Sequence, residues 1–237
     1  MNTHLAALIF DVDGTLAETE EAHRLAFNRA FTEFDLPWSW DRPLYKELLR
    51  VAGGKERIRA FALRYDAGRI DDKFDELVAA LHRRKTERYT GSVAGGSVPL
   101  RDGIAELIGE ARTEGLKVSV ATTTSRANVD ALLHGATAGE GRGWFEVLAC
   151  AEDAPVKKPD PQVYLAVVER LGIPATACLA IEDSANGVRA ACAAGVPVIA
   201  VRSAFTDTDD VSGALAVFSD LQGIGLSHLR SLHEGRE

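Results

Sequence analysis

Cysteine is scarce. Cys150, Cys178 and Cys192 are the only three in 237 residues, and no C-x-x-C pair occurs. So odd and scattered a set argues against a disulfide framework and a cysteine-based zinc site, and it makes a reducing compartment the default expectation. Long hydrophobic runs are missing too: no apolar stretch approaches the ~18 residues of a membrane span. The early run Leu5–Phe10 meets Asp11 at once, too soon for a signal peptide, so a cytoplasmic protein is expected. Basic residues are in deficit, 27 Lys plus Arg against 35 Asp plus Glu, for a net charge of −8. That balance argues against a nucleic-acid or anionic-membrane partner, either of which needs a strongly positive face. A small anionic substrate stays open, because one local pocket can overrule the average. No internal repeat is present.

The hydrophobic share is 46% and the charged share 26%, the balance of a globular protein and not of a disordered chain, a collagen or a coiled coil. A length of 237 residues makes one large domain or two unequal ones. Short, continuous apolar runs recur at Leu5–Phe10, Lys117–Thr122, Phe145–Cys150, Ala177–Ile181, Pro197–Val201 and Ala216–Phe218. Such runs read as strands buried on both faces. Helical stretches at Gly103–Glu114, Arg126–Leu133, Pro161–Leu171 and Ala185–Ala194 separate most of them. The alternation predicts an α/β fold, a Rossmann-like parallel sheet with helices on both faces. Thr19 to Tyr89 differs, with amphipathic, charge-rich segments at Glu20–Phe34, Leu44–Leu49, Lys55–Tyr65 and Phe74–Arg88 and no strand. We therefore expect an α/β core from residues 1–17 and 92–237 and a helical cap domain inserted over residues 18–91. The expected hinges are Leu16–Thr19 and the glycine-rich Gly91–Val98. The tail beyond Val201 offers one strand and a short helix.

Asp11-Val12-Asp13-Gly14-Thr15 follows the first strand directly. Two carboxylates two residues apart at a strand's carboxyl end can face one crevice, where open α/β sheets bind ligands. Their mutual repulsion calls for a proton or a cation, and oxygen-only ligands favour Mg²⁺. Gly14 permits the tight turn that brings backbone close to such an ion.

The segment resembles the nucleophile motif of the haloacid dehalogenase-like superfamily, and the family's other motifs follow in order. They are Thr122-Thr123-Thr124-Ser125 at a strand end, Lys157-Lys158-Pro159-Asp160-Pro161 before a helix, and Ala180-Ile181-Glu182-Asp183-Ser184 followed by Asn186-Gly187. Singly the last three are weak, since a threonine run also suits any strand and an acid pair any helix start. With only seven lysines against 20 arginines, the adjacent pair Lys157-Lys158 stands out.

The resemblance implies a Mg²⁺-dependent phosphatase. Asp11 attacks phosphorus and forms an aspartyl phosphate. Asp13 protonates the leaving alkoxide and then deprotonates the hydrolytic water. Thr123, with the Thr124 amide, donates to phosphate oxygens, and Lys158 offsets charge on nucleophile and phosphate. The metal set comprises Asp11, Asp13 (through its backbone oxygen), Asp183 and Glu182, the last as ligand or as partner to a ligand. An acid at Asp13 argues against dehalogenation, which needs no leaving-group proton.

The helical insert occupies the family's cap position, where a lid excludes water and selects substrate. Its Glu18-Thr19-Glu20-Glu21-Ala22-His23 and Gly53-Gly54-Lys55-Glu56-Arg57 resemble the CbbY-type sugar-phosphate phosphatases, relatives of the β-phosphoglucomutases. Glu18 and His23 are then expected to face the reacting centre. Gly53 and Gly54 would let backbone approach a sugar, Lys55 would reach its non-reacting end, and Ser125 with Arg126 would bind a second phosphate. Val51-Ala52 departs from the small hydroxyl residues of that branch. The implied substrate is a small phosphorylated sugar such as xylulose 1,5-bisphosphate, taken by a monomer or weak dimer. A phosphosugar mutase, or a non-catalytic sugar-phosphate sensor on the same scaffold, are the alternatives. Two features are set aside: Gly139–Gly143 precedes a strand instead of following one, and His82-Arg83-Arg84-Lys85 reads as a solvated helix face.

Overall fold

A computed structural model describes residues 4–235. Among these residues the chain runs β1 (Ala7–Phe10), α1 (Glu20–Glu33), α2 (Arg42–Leu48), α3 (Gly54–Tyr65), α4 (Phe74–Val93), α5 (Ile104–Thr113) and β2 (Lys117–Ala121). It continues with α6 (Arg126–Ala136), β3 (Val147–Ala149), α7 (Gln162–Leu171), β4 (Cys178–Glu182), α8 (Ala185–Ala193), β5 (Val198–Val201), β6 (Val217–Phe218) and α9 (Leu226–Glu234). The six strands form one parallel sheet in the order β3-β2-β1-β4-β5-β6. The chain order reverses at β1, so a crevice opens at the carboxyl ends of β1 and its two neighbours. Register fixes what meets there: Phe10 lies beside Val120 on one side and Ile181 on the other.

Central strands are apolar throughout because helices cover both faces. Leu8, Phe10, Val118, Val120, Leu179 and Ile181 pack with α5, α6 and α9 on one face. Ala7, Ile9, Cys178 and Ala180 pack with α7 and α8 on the other. Helix starts are marked by side-chain caps: Asp41 accepts from the Leu44 amide, Ser125 from Asn128 and Ser184 from Gly187.

Four helices, α1 to α4, stand between β1 and α5, and they surround an aromatic cluster of Phe27, Phe31, Trp38, Trp40, Tyr45 and Phe61. The expected glycine-rich hinge is shorter than Gly91–Val98, because α4 continues through Gly91 to Val93. An exposed helical glycine costs only about 1 kcal/mol, which the packing of Val93 offsets. Beyond it, α6 comes so near that a Cβ on Gly135 would stand 2.0 Å from the Val93 carbonyl oxygen. The Gly139–Gly143 stretch forms a turn leading to β3. Among the described residues no helix is long and apolar enough to cross a membrane.

Candidate active site

Strand ends deliver the chemistry. Asp11 follows β1 and is 7% exposed, and its Oδ1 accepts a 2.7 Å hydrogen bond from Lys158 Nζ. The same ammonium donates to Glu182 Oε1 at 2.5 Å and to the Ala121 carbonyl at 2.8 Å, so its three protons are fully used. Tyr164 adds a second hydrogen bond to Glu182 Oε1 at 2.5 Å. Among the described residues Asp11 Oδ2 accepts none, and it remains the free oxygen of the pair. Burial opposes the charge on Lys158, but Asp11 and Glu182 outweigh it and hold the ammonium above its usual range. Burial pushes Asp11 up to about 7, Lys158 works against the shift, and Glu182 and Asp13 add to it.

Asp11, Glu182 and Asp183 each offer an oxygen within 4.8 Å of the others, all three buried. One ammonium among three carboxylates leaves negative charge uncompensated. Burial first, then Asp11 and Glu182, drives the Asp183 carboxyl well above its ordinary value. An oxygen-only cluster short of positive charge fits a hard divalent cation, and Mg²⁺ matches that donor set. Among the described residues no hydrogen bond reaches Asp183 Oδ1, and Glu182 Oε2 is buried without a partner, packed against Gly187, while Glu182 Oε1 is occupied by Lys158 and Tyr164; each acid therefore keeps one oxygen for a cation.

Asp13 stands apart from that trio. Its Oδ1 accepts from Thr19 Oγ1 at 2.5 Å and meets His23 Nε2 at 3.0 Å. His23 Nδ1 lies 2.7 Å from Lys85 Nζ, and its ring stacks on Tyr89 at 3.8 Å. An ammonium only donates, so Nδ1 accepts, and the imidazole proton sits on Nε2 and is donated to Asp13. Burial would raise Asp13, but His23, Thr19 and Lys85 prevail and lower it to about 2.

These groups floor a cleft of about 1040 Å³, roofed by α1, α3 and α4. Thr123, Thr124, Ser125, Gly53, Gly54 and Lys55 all line it, as expected. The Thr123 hydroxyl is unengaged among the described residues, whereas the Thr124 amide already donates to Thr122 Oγ1 at 3.2 Å.

Three expectations fail. Glu18 does not face the reacting centre: Thr19 turns inward to Asp13, which leaves Glu18 outside the cleft, beside Arg101 at 3.5 Å and the Ala204 amide at 3.4 Å. Glu20 lines the cleft in its place, held by Tyr45 Oη at 2.7 Å. Arg126 does not reach the cleft either, since its guanidinium donates to the Leu148 carbonyl at 2.6 Å and to Asp153 at 3.0 Å. The basic run on α4 is also no solvated face. Lys85 is 5% exposed, and His82 and Arg83 line the cleft. Burial, with Lys85 and Lys55 nearby, lowers His82 to about 3, so its imidazole is neutral. Sequence reading also passed over Tyr164, Ser203 and Thr206. No spacing signal marks them; only the Glu20–Lys85 pairing of helix faces, charged residues on otherwise apolar stripes, was visible in principle.

The model of the haloacid dehalogenase-like hydrolases matches residues 5–195. Protein CbbY of Cupriavidus necator is 50% identical over 218 residues, covering 92% of this chain and 86% of that protein. The structure of an Asp-to-Asn variant of CbbY from Rhodobacter sphaeroides, in complex with xylulose 1,5-bisphosphate, superposes with a TM-score of 0.89 at 42% identity. It covers 95% of this chain and 99% of that one. A β-phosphoglucomutase from Clostridium difficile shares the fold, with a TM-score of 0.79 at 18% identity over 98% of each chain. By motif, sequence and fold, this chain belongs to the haloacid dehalogenase-like hydrolases, in their CbbY-type branch, and is a phosphatase.

Proposed function

We propose that this phosphatase hydrolyses a small sugar phosphate, with Mg²⁺, through a phosphoryl group carried on Asp11. The observation that carries the reading is the asymmetry of Asp11: one oxygen is held by Lys158, the other accepts no hydrogen bond among the described residues, and a carboxylate oxygen of Asp183 lies within 4.8 Å of one of Asp11. The free oxygen attacks phosphorus in line. Thr123 donates to a phosphate oxygen, and Lys158 keeps its charge beside the group in flight. Asp11, Asp183 and the Asp13 carbonyl would hold Mg²⁺, with Glu182 orienting Lys158 behind them; the ion supplies positive charge against which phosphate oxygens accumulate negative charge.

Asp13 gives a proton to the departing alkoxide and later takes one from water. His23 favours its carboxylate, the form the second step needs. A phosphate group brought beside it adds negative charge and removes solvent, and both raise its affinity for the proton the first step needs. His23, Lys85 and Glu20 come from α1 and α4, so residues 18–91 act as a lid that completes the acid–base site when closed.

Arg50, Lys55 and Arg83 line the cleft without an ion-pair partner among the described residues. Cations at that end suit a substrate with a second phosphate. Together with the ligand of the Rhodobacter sphaeroides structure, this favours a ketose bisphosphate such as xylulose 1,5-bisphosphate. A phosphate-release screen across sugar mono- and bisphosphates, with and without Mg²⁺, tests the reading. Release confined to ketose bisphosphates and abolished by chelation is expected. Conversion of β-glucose 1-phosphate to glucose 6-phosphate in the presence of glucose 1,6-bisphosphate would replace it with a mutase. Stoichiometric binding without release would make the chain a sensor.

A further inference from the structure

Asp183 is held by a segment with its own anchor on the helical unit. Its Oδ2 accepts from Ser203 Oγ at 2.9 Å and from Thr206 Oγ1 at 2.8 Å, and those hydroxyls lie 2.8 Å from each other. Ser203 and Thr206 are both buried. Gly14 closes the remaining side, where a Cβ would stand 2.1 Å from Oδ2. With Oδ2 boxed in, Oδ1 is the oxygen left for a cation, and the two hydrogen bonds oppose rotation of the carboxylate.

The residues interleaved with those hydroxyls point the other way. Phe205 is 8% exposed, belongs to the aromatic cluster of the helical unit, and meets Tyr45 edge-on at 5.8 Å between ring centres. Asp207 pairs with Lys46. Tyr45 and Lys46 are adjacent on α2, and the Tyr45 hydroxyl donates to Glu20 and accepts from Arg57 at 3.0 Å. Within five residues, therefore, two side chains hold the carboxylate at the end of β4 and two are gripped by α2.

We propose that Ser203 and Thr206 are positioning residues for Asp183, and that Phe205, seated among the cap aromatics, makes their hold depend on docking of the helical unit. The inference rests on the reading of Asp183 as a Mg²⁺ ligand. Mg²⁺ demands near-octahedral geometry, so a ligand free to rotate binds it worse, and loss of a hydrogen-bond partner behind a metal ligand costs about 10–100-fold in affinity.

Mg²⁺ titration of the full chain by calorimetry tests it, on wild type, Thr206→Val, Thr206→Ser, Ser203→Ala and Phe205→Ala, with the thermal midpoint of each recorded. Thr206→Val is expected to raise the Mg²⁺ dissociation constant about tenfold or more, and Thr206→Ser, which restores the hydroxyl, to recover it. Phe205→Ala is expected to raise it as well, although its ring touches neither the ion nor the carboxylate, and excess Mg²⁺ is expected to recover phosphate release in both. Should Thr206→Val fail to fold, Ser203→Ala and Phe205→Ala carry the comparison. Folded variants that bind Mg²⁺ as tightly as wild type would overturn the proposal and leave the phosphatase mechanism standing. A wild-type chain that binds no Mg²⁺ and releases phosphate without it would overturn the metal reading and this proposal together.

Discussion

A carboxylate that must attack phosphorus cannot have both oxygens tied down, and Asp11 meets that condition through Lys158 alone. Asp11→Asn keeps an oxygen for Lys158 and removes the nucleophile. Phosphate release is expected to fall below detection while the thermal midpoint holds or rises, since a carboxylate beside Glu182 and Asp183 is gone. Normal turnover in that variant would refute the covalent route. Lys85 sets a pH limit. Burial pulls it down to about 8, against the attraction of Asp13. It is thus cationic below that pH and neutral above, and the charge supporting the His23–Asp13 contact is lost as pH rises. We expect kcat/KM to decline through pH 8. Lys85→Met should lose about 10–100-fold at pH 7, the equivalent of the ~1.5–3 kcal/mol of a charged hydrogen bond. It should also lack the pH 8 limb; a limb unchanged in that variant assigns the titration elsewhere.

At the level of elements, strand ends were legible and helix faces were not. Asp11, Thr123 and Asp183 were readable because each follows an apolar run buried on both faces, which fixes where the chain stops and which crevice it meets. Lys158 was readable only through its motif, since its loop has no periodicity. The facing of Glu18 and Glu20 was illegible, because it depends on Thr19 turning inward to Asp13. Lys85 hid in a basic run, as its burial comes from α1 packing on α4. Arg126 was misread because Asp153, 27 residues on, captures it. The structure starts α3 at Gly54, one residue before the expected Lys55, and requires both glycines for its own packing: Gly53 takes φ +93°, and a Cβ on Gly54 would strike the His82 ring at 2.7 Å. That leaves Lys55 exposed at the cleft. Lys55→Ala is expected to raise KM for a ketose bisphosphate about tenfold or more and to leave KM for p-nitrophenyl phosphate nearly unchanged. An equal effect on both substrates would deny it a specificity role.

On the scale of the whole molecule, the helical unit and the sheet do not keep separate cores. Val78 and Leu81 of α4 pack in the aromatic cluster, while Tyr89 and Val93 of the same helix pack with the sheet. Ala26 of α1 joins the sheet side, and Phe205, which follows β5, joins the aromatic side. The lid motion proposed for residues 18–91 would therefore have to leave Tyr89, Val93 and Ala26 packed with the sheet or separate them from it. Unfolding one unit strips apolar surface from the other, at about 25 cal/mol per Å² exposed. Chains above ~150 residues commonly unfold through intermediates, yet this sharing of helices predicts one cooperative step. Trp38 and Trp40, two of the three tryptophans, lie in the aromatic cluster, so fluorescence weights the helical unit whereas far-ultraviolet circular dichroism weights the whole chain. Urea titrations followed by the two signals are expected to superimpose. A fluorescence midpoint well below the dichroism midpoint would show that α1 to α4 melt as an independent body, and that the contacts of Phe205, Tyr89 and Val93 contribute little to holding the two units together.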